Sequence, residues 1–327
     1  MFLLIAQASA LEFTVDVTLP AEMVQAGLDE AELEEEMEAK INEKLHVADM
    51  GGYLDQMANA NVLSSKGMGA DYGSDMQRFC VGAAFGTAVN GAGINFDGGE
   101  EALPETGFAL QIGLMAGLNL GAFSGDDSAL RRFKLYVSGM SATTARDPFE
   151  GTFFNYGGHL QIKAIQGGSV TDPVRWGGLD LTGGYEFSSY ELSLSQDMPI
   201  NADPMEWNAT GTYRIGADAQ SIPVELSTSF HLLVVTAWTG AGVDYNLSGN
   251  AESSISVDGP ISVTYDGKSD EVGHASLSLS ESGTAASFTP RAFVGLQADI
   301  VFLKLYGQLN VTLDESVGGQ LGARVVF

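Results

Sequence analysis

GGQLGARVVF, residues 318–327, closes the chain. Read backward from Phe327, every second residue is small or apolar: Val325, Ala323, Leu321 and Gly319. Arg324, Gly322 and Gln320 lie between them and bring a full charge and an amide. Successive side chains of a strand point to opposite faces, so this stretch has one face suited to hydrocarbon and one suited to water.

The same alternation recurs upstream. From Gly107 the even positions Phe108, Leu110, Ile112, Leu114, Ala116, Leu118 and Leu120 are apolar, whereas the odd ones include Gln111, Asn119 and glycines. Phe133, Leu135 and Val137 are interleaved with Lys134 and flanked by Arg132 and Ser138. Leu160, Ile162 and Ala164 alternate with His159, Gln161 and Lys163. Ala292, Val294, Leu296, Ala298 and Ile300 alternate with Arg291, Gln297 and Asp299, and then Leu303, Leu305, Leu309 and Val311 with Lys304, Gln308 and Asn310. These lengths suit tilted strands of about 9–11 residues crossing a bilayer.

With its terminal aromatic residue, the last segment resembles the C-terminal strand of bacterial outer-membrane β-barrel proteins, which the barrel-folding machinery reads. That resemblance implies an assembly signal at Leu321, Ala323, Val325 and Phe327, barrel-assembly machinery as a partner, and a location in the outer membrane of a Gram-negative bacterium. The expected fold is all-β: an antiparallel transmembrane barrel of about 12 strands, within a range of about 10–16, behind a short acidic helical segment. The expected organisation is a signal peptide over 1–10, possibly truncated, an acidic mainly helical segment over 11–75, and a barrel over 76–327.

Composition agrees with this reading. Beyond the first few residues no apolar run approaches the roughly 20 needed for a membrane-spanning helix, so any spanning must be done by strands. A mean hydropathy of +0.07 fits strands of which half the residues face water. The formal charge of −27 excludes nucleic acid as a partner, because phosphate binding needs basic surface. Cys80 is the single cysteine, which rules out an internal disulfide.

At the N-terminus MFLLIAQASA carries a short apolar run and the small-x-small signal Ala8-Ser9-Ala10, but lacks the usual basic start. From Ala21 to about Leu45 the period becomes helical, with Val24, Leu28, Leu33, Met37, Ile41 and Leu45 spaced among glutamates from Glu30 to Glu38. Such an acidic helix is unsuited to an anionic membrane surface, so it belongs either in the periplasm or inside the barrel, where it could pair with basic residues of the wall. A second, weaker helix fits Tyr53 to Leu63, followed by a Gly/Ser-containing stretch over Ser64 to Ser74.

Thirteen strand segments can be marked from residue 78 onward, including 207–219, 222–236, 240–250 and 252–266. An odd count conflicts with the even number of strands in bacterial single-chain barrels, and the weak alternation between Gly249 and Asp270 is where strands merge or split. Connections at Ala219 to Ile222 and Ile300 to Leu303 read as periplasmic turns, and 91–106 and 196–206 as external loops.

Parity assigns candidate pore-lining residues: Arg132, Lys134, Lys163, Arg214, Arg291, Lys304 and Arg324, with Asp180, Glu186, Asp218, Glu225 and Asp299. They read either as the lining of an aqueous pore or as a paired network that closes a narrow barrel. The expected function is a passive porin or small-solute channel in contact with outer-membrane lipid and lipopolysaccharide. Alternatives are a structural or surface-binding, adhesin-like barrel and, further off, a lipid hydrolase. For the last, His274 and Ser276 share one strand face, and the pair resembles the His-x-Ser of outer-membrane lipid A deacylases, whose surrounding motif is absent. His46, His159, His231 and His274 have no partners at metal-ligand spacing, and no phosphate loop or dinucleotide fingerprint occurs. No metal, cofactor or enzyme activity is therefore expected.

Overall fold

The computed structural model describes residues 3–5, 11–18, 24, 29, 31, 32, 35, 45–47, 51–73, 76–91, 106–125, 128–171, 173–202, 205–265 and 268–327. Most of the acidic helix expected over 21–45, the cleavage signal at 8–10 and the link at 92–105 lie outside them.

The N-terminal part contributes β1 (Leu3–Ile5), β2 (Leu11–Val17), β3 (Leu45–Val47) and the helix α1 (Gly51–Ser64), with β1 parallel to β3. The barrel follows as β4 (Phe79–Asn90), β5 (Gly107–Asn119), β6 (Phe133–Arg146), β7 (Phe149–Thr171), β8 (Val174–Ala202) and β9 (Met205–Leu232). It continues with β10 (Val235–Tyr265), β11 (Lys268–Thr284), β12 (Phe288–Ile300), β13 (Leu303–Thr312) and β14 (Ser316–Val326). Neighbours pair antiparallel throughout. β14 returns to β4, with Leu321 opposite Phe85, and β12 meets β10, with Gly295 opposite Trp238.

Eleven strands thus form the ring, but β11 and β12 lie end to end along β10, whose residues 250–265 pair with β11 and 235–245 with β12. The wall is therefore crossed by an even number of passes, and both barrel ends, Phe79 and Phe327, meet at one rim, where their rings stack 4.6 Å apart. Expected segments 207–219 and 222–236 fall on one strand, β9, as far as Leu232, and 240–250 and 252–266 on one strand, β10, as far as Tyr265. Ala219 to Ile222 is consequently mid-strand rather than a turn, whereas Val301-Phe302 forms the expected tight turn. The stretch read as an external loop over 196–206 is largely the tip of the β8–β9 hairpin.

The two ends differ. At the turn end, Leu233-Val234 and Val301-Phe302 join strands in two residues. At the opposite, tall end, β8, β9 and β10 run to 29, 28 and 31 residues, far beyond what a bilayer needs.

Polarity along β9 explains that length. Over its last twelve or so positions, roughly 30 Å of rise at the usual strand tilt, Ile222, Val224, Leu226 and Phe230 face outward and exposed, while Ser221, Glu225, Ser227 and Ser229 are buried inside. This is the pattern of a strand in lipid. Above residue 220 the faces exchange character without a break in the strand: Ala219, Ala217, Ala209, Trp207 and Met205 are buried, and Arg214, Asn208 and Glu206 are exposed. A sheet outside the membrane needs this reversed pattern, because water now lies outside and an apolar core inside. On β10 the same exchange is made by a β-bulge between Asn246 and Ser248. Odd positions stay apolar across it, but Val243, Tyr245 and Leu247 belong to the outer face and Ala251, Ile255, Val257, Ile261 and Val263 to the inner one.

That inner face of the tall end forms a core with α1. Leu54, Met57, Ala58, Ala60 and Leu63 pack with Trp207, Ile255, Val257, Leu277 and Leu279. The Trp207 indole N–H donates to the Gly259 carbonyl at 3.0 Å, so the largest buried ring also has its polar atom satisfied.

Candidate functional site

Below α1 the chain does not leave the barrel. It runs down the lumen from Ser64 to Gly73 and emerges at the turn end, where Arg78 N–H donates to the Phe327 carbonyl. The order of its contacts gives the direction. Asp55 accepts from the Thr284 N–H at the tall side, Asn61 accepts from Gln111 midway, and the Met76 carbonyl accepts from Asn119 at the turn end. Residues 66–73 are all buried.

Small residues make the passage feasible. Gly67 has φ +88°, and a Cβ there would lie 2.5 Å from the side-chain amides of Gln308 and Gln320. A Cβ on Gly69 would lie 2.8 Å from the His159 ring.

The side chains between these glycines meet the charged wall. Lys66 Nζ lies 2.7 Å from Glu186 Oε2 and 3.6 Å from Asp244 Oδ1, and donates to Ser221 Oγ at 2.5 Å. His159 Nε2 lies 3.1 Å from the other oxygen of Glu186. Arg291 donates to Asp244 at 2.8 Å and to Asn310 at 3.1 Å, and also pairs with Glu225. The Tyr72 hydroxyl donates to the second Glu225 oxygen at 2.5 Å. Nearer the turn end Arg324 lies 3.1 Å from Asp71, donates to the Ala70 carbonyl and to Gln297, and stacks 4.2 Å from the Tyr306 ring centre. Ionic groups removed from water in this way need partners, and here wall and inner segment bring opposite charges to each other.

The candidate lining residues fall into three groups. Glu186, Glu225, Arg291 and Arg324 belong to this network. Lys134, Lys163, Asp180, Asp299, Lys304 and Arg132 lie toward the turn end; Lys163 pairs with Asp180 at 2.7 Å and Lys304 with Asp299 at 3.0 Å. Arg132, Lys134, Lys163 and Asp180 border a cavity of about 280 Å³ there. Arg214 and Asp218 are not in the lumen. They sit above residue 220 on the outer face of the tall sheet, beside a groove with Glu252, Ser254 and Ser280. A division of β9 near residue 220 resets the parity, whereas the strand is continuous and keeps its odd residues inside.

Lys66, Asp71, Tyr72 and Asp244 were missed. The signal for the first three is the unusual mix of lysine, aspartate and tyrosine among glycines in SSKGMGADYG, residues 64–73, which resembles a linker in composition, whereas Asp244 lies on β10.

His274 lies on the outer face of the tall sheet, 3.5 Å from Asp258, and more than half of each side chain is exposed. Asp258 is directly opposite Ser276 across the sheet. The three share the outer face of the sheet. Above the membrane-spanning part, burial lifts the Tyr213 phenol above its ordinary range, and burial together with Tyr213 does the same for Tyr53. In the last strand, Leu321 is exposed on the outer face and Phe327 stacks with Phe79 and Phe302 at the turn-end rim.

Solved structures with similar topology are outer-membrane barrels. The translocator domain of the autotransporter NalP from Neisseria meningitidis is 10% identical, with 82% of this chain and 93% of that one covered and a TM-score of 0.30. The Ralstonia pickettii toluene transporter TbuX is 8% identical over 84% and 99% of the two chains, with a TM-score of 0.26. LpxR from Salmonella typhimurium is 11% identical over 75% and 100%, with a TM-score of 0.25. No curated protein matches the sequence. Residues 18–327, the inner segment and barrel together, match the Lsa36-like family model, and the chain belongs to the Lsa36-like family of proteins.

Proposed function

We propose that this outer-membrane barrel is closed in its resting form and serves to hold the tall β-extension at the cell surface as a structural or binding platform. The observation that carries this reading is the filled lumen: residues 66–73 are buried, and Lys66, Asp71 and Tyr72 bind wall charges that an open pore would leave to water. Orientation follows from the two ends. Bacterial barrels keep short turns in the periplasm and long elements outside, which puts Leu233-Val234 and Val301-Phe302 in the periplasm and the tips of β8–β11 outside a Gram-negative cell. Lipid, with lipopolysaccharide in the outer leaflet, then contacts residues such as Leu114, Val224, Leu296 and Leu309, and assembly machinery reads the final strand.

Passive diffusion of small solutes, the first expectation from sequence, requires the inner segment to leave. Conductance of the purified full chain in a planar bilayer separates the two. Silence at moderate voltage is the expected result, and steady ohmic channels from the unmodified protein would refute closure. Hydrolysis by His274 and Ser276 is not proposed, since the pair lies on an open polar sheet well above the lipid-facing belt.

A further inference from the structure

We infer that the chain threads its own barrel, so that β2, which precedes α1, is displayed on the external side instead of remaining in the periplasm; this rests on the orientation proposed above. Two observations meet. The first is the path of residues 51–78, which starts among the tall-end core at Leu54 and Met57, passes Gln111 and Glu186, and reaches the turn end at Met76 and Arg78. A chain that begins barrel strand β4 at the periplasmic rim, after descending the lumen, must have entered the lumen from outside. The second is β2. It pairs antiparallel with β11, Leu11 opposite Leu279 and Val17 opposite Gly273, and the Thr18 N–H donates to the Val272 carbonyl at 2.7 Å. β11 lies wholly above the bulge level, in the part of the sheet whose outer face is polar.

The register supports the pairing chemically. Leu11, Phe13 and Val15 fall opposite Leu279, Leu277 and Ala275, while Glu12, Thr14 and Asp16 fall opposite Ser278, Ser276 and His274. Along this register the sequence pairs apolar residues with apolar ones and polar residues with polar ones. β2 also covers the free edge of β11, which would otherwise present unpaired backbone groups to water. The link between β2 and α1 starts and ends at the tall end. The barrel accordingly acts as the export route for its own N-terminal segment, and the same segment seals the route once in place.

Cysteine labelling in intact Gram-negative cells expressing the full chain tests this directly, because Cys80 is fully buried and gives little background. Thr18→Cys and Glu35→Cys replace exposed residues of the N-terminal part, Ser256→Cys an exposed residue of the tall sheet, and Leu233→Cys an exposed turn-end residue. A membrane-impermeant maleimide should label Thr18→Cys and Glu35→Cys with no loss relative to Ser256→Cys, and should reach Leu233→Cys only after the outer membrane is permeabilised. Labelling of Thr18→Cys in step with Leu233→Cys, or its failure to label even after permeabilisation, would overturn threading. If Ser256→Cys and Thr18→Cys both require permeabilisation and Leu233→Cys does not, threading stands and the proposed orientation is wrong.

Discussion

Replacing Lys66 with Met should open the barrel. The ammonium is fully buried and has two carboxylates and a hydroxyl around it: Glu186 at 2.7 Å, Asp244 at 3.6 Å and Ser221 at 2.5 Å. Methionine keeps the length of the side chain and removes the charge. Breaking a buried ion pair by deleting one partner costs about 3–5 kcal/mol, most of it the penalty of the charge left behind. Glu186 retains His159, and Asp244 retains Arg291, so the lower half of that range applies. The wall itself is held by continuous strand ladders, so the cost falls chiefly on docking of residues 64–73. About 3 kcal/mol corresponds to roughly a hundredfold shift toward the undocked state. In a planar bilayer, Lys66→Met should show frequent openings where the native chain shows few, and its heat-dependent gel shift should persist because the barrel remains folded. Glu186→Gln added to Lys66→Met should recover part of the loss by removing the orphaned carboxylate. If Lys66→Met is as silent as the native protein, and its inner segment is equally protected from protease, the ionic lock has no role in closure.

Leu114 is 58% exposed in the middle of the lipid-facing side of β5, so Leu114→Arg should destabilise the folded barrel by about 2–4 kcal/mol in urea titrations from lipid vesicles. Ser256→Arg, on the outer face of the tall sheet, should change it by less than about 0.5 kcal/mol, and similar penalties at both sites would refute the boundary drawn near residue 220. Deleting Leu247 removes the unpaired bulge residue but leaves Asn246 opposite Ser221 and Ser248 opposite Gln220, so Ile255, Val257, Ile261 and Val263 should keep the inner face and the tall end should stay as protease-resistant as in the native chain. Trp207→Ala should loosen the same region by about 3–5 kcal/mol, read as faster proteolysis at the tips of β8–β11 without loss of the ring. Val301 occupies a turn with φ 54°, where a β-branched residue is strained, so Val301→Gly should raise the unfolding midpoint by an amount worth about 1 kcal/mol.

The membrane ring was legible because lipid imposes a strict demand at every second position. Phe108 through Leu118 on β5 and Ala292 through Ala298 on β12 state the outward face without help from tertiary structure. The tall end was harder because nothing in the alternation itself says which face is the core. On β10 the odd positions are apolar or small from Val235 to Val263 except Thr239 and Ser253, and only the bulge at Leu247 moves them from lipid to interior. On β9 the strand is unbroken but the apolar parity changes near residue 220, which looks in sequence like a turn and led to Arg214 and Asp218 being assigned to the lumen. The network was half visible. Glu186, Glu225, Arg291 and Arg324 follow from strand parity, but their partners Lys66, Asp71 and Tyr72 lie in an irregular stretch with no period to betray its burial.

Barrel size connects closure with threading. Barrels of about eight strands are filled by their own side chains, and clear aqueous channels belong to those of about 16–18, so a ring of ten passes, β11 and β12 being counted as one, leaves room for something between. A single extended segment fits that space if it is narrow where the wall is bulky and charged where the wall is charged. Residues 64–73 meet both conditions: Gly67 and Gly69 pass Gln308, Gln320 and His159, whereas Lys66 and Asp71 reach Glu186 and Arg324. The apolar groups of this segment, Met68, Ala70 and Tyr72, pack on Trp238, Phe293 and Tyr306 of the wall, so they too have no partner before the wall exists. Its burial needs both that apolar cluster and the convergence of Asp244, Glu225, Arg291 and Arg324 from β10, β9, β12 and β14. Docking of the inner segment must therefore accompany or follow closure of the last strands onto β4. β2 would then be outside already when the lumen seals behind it.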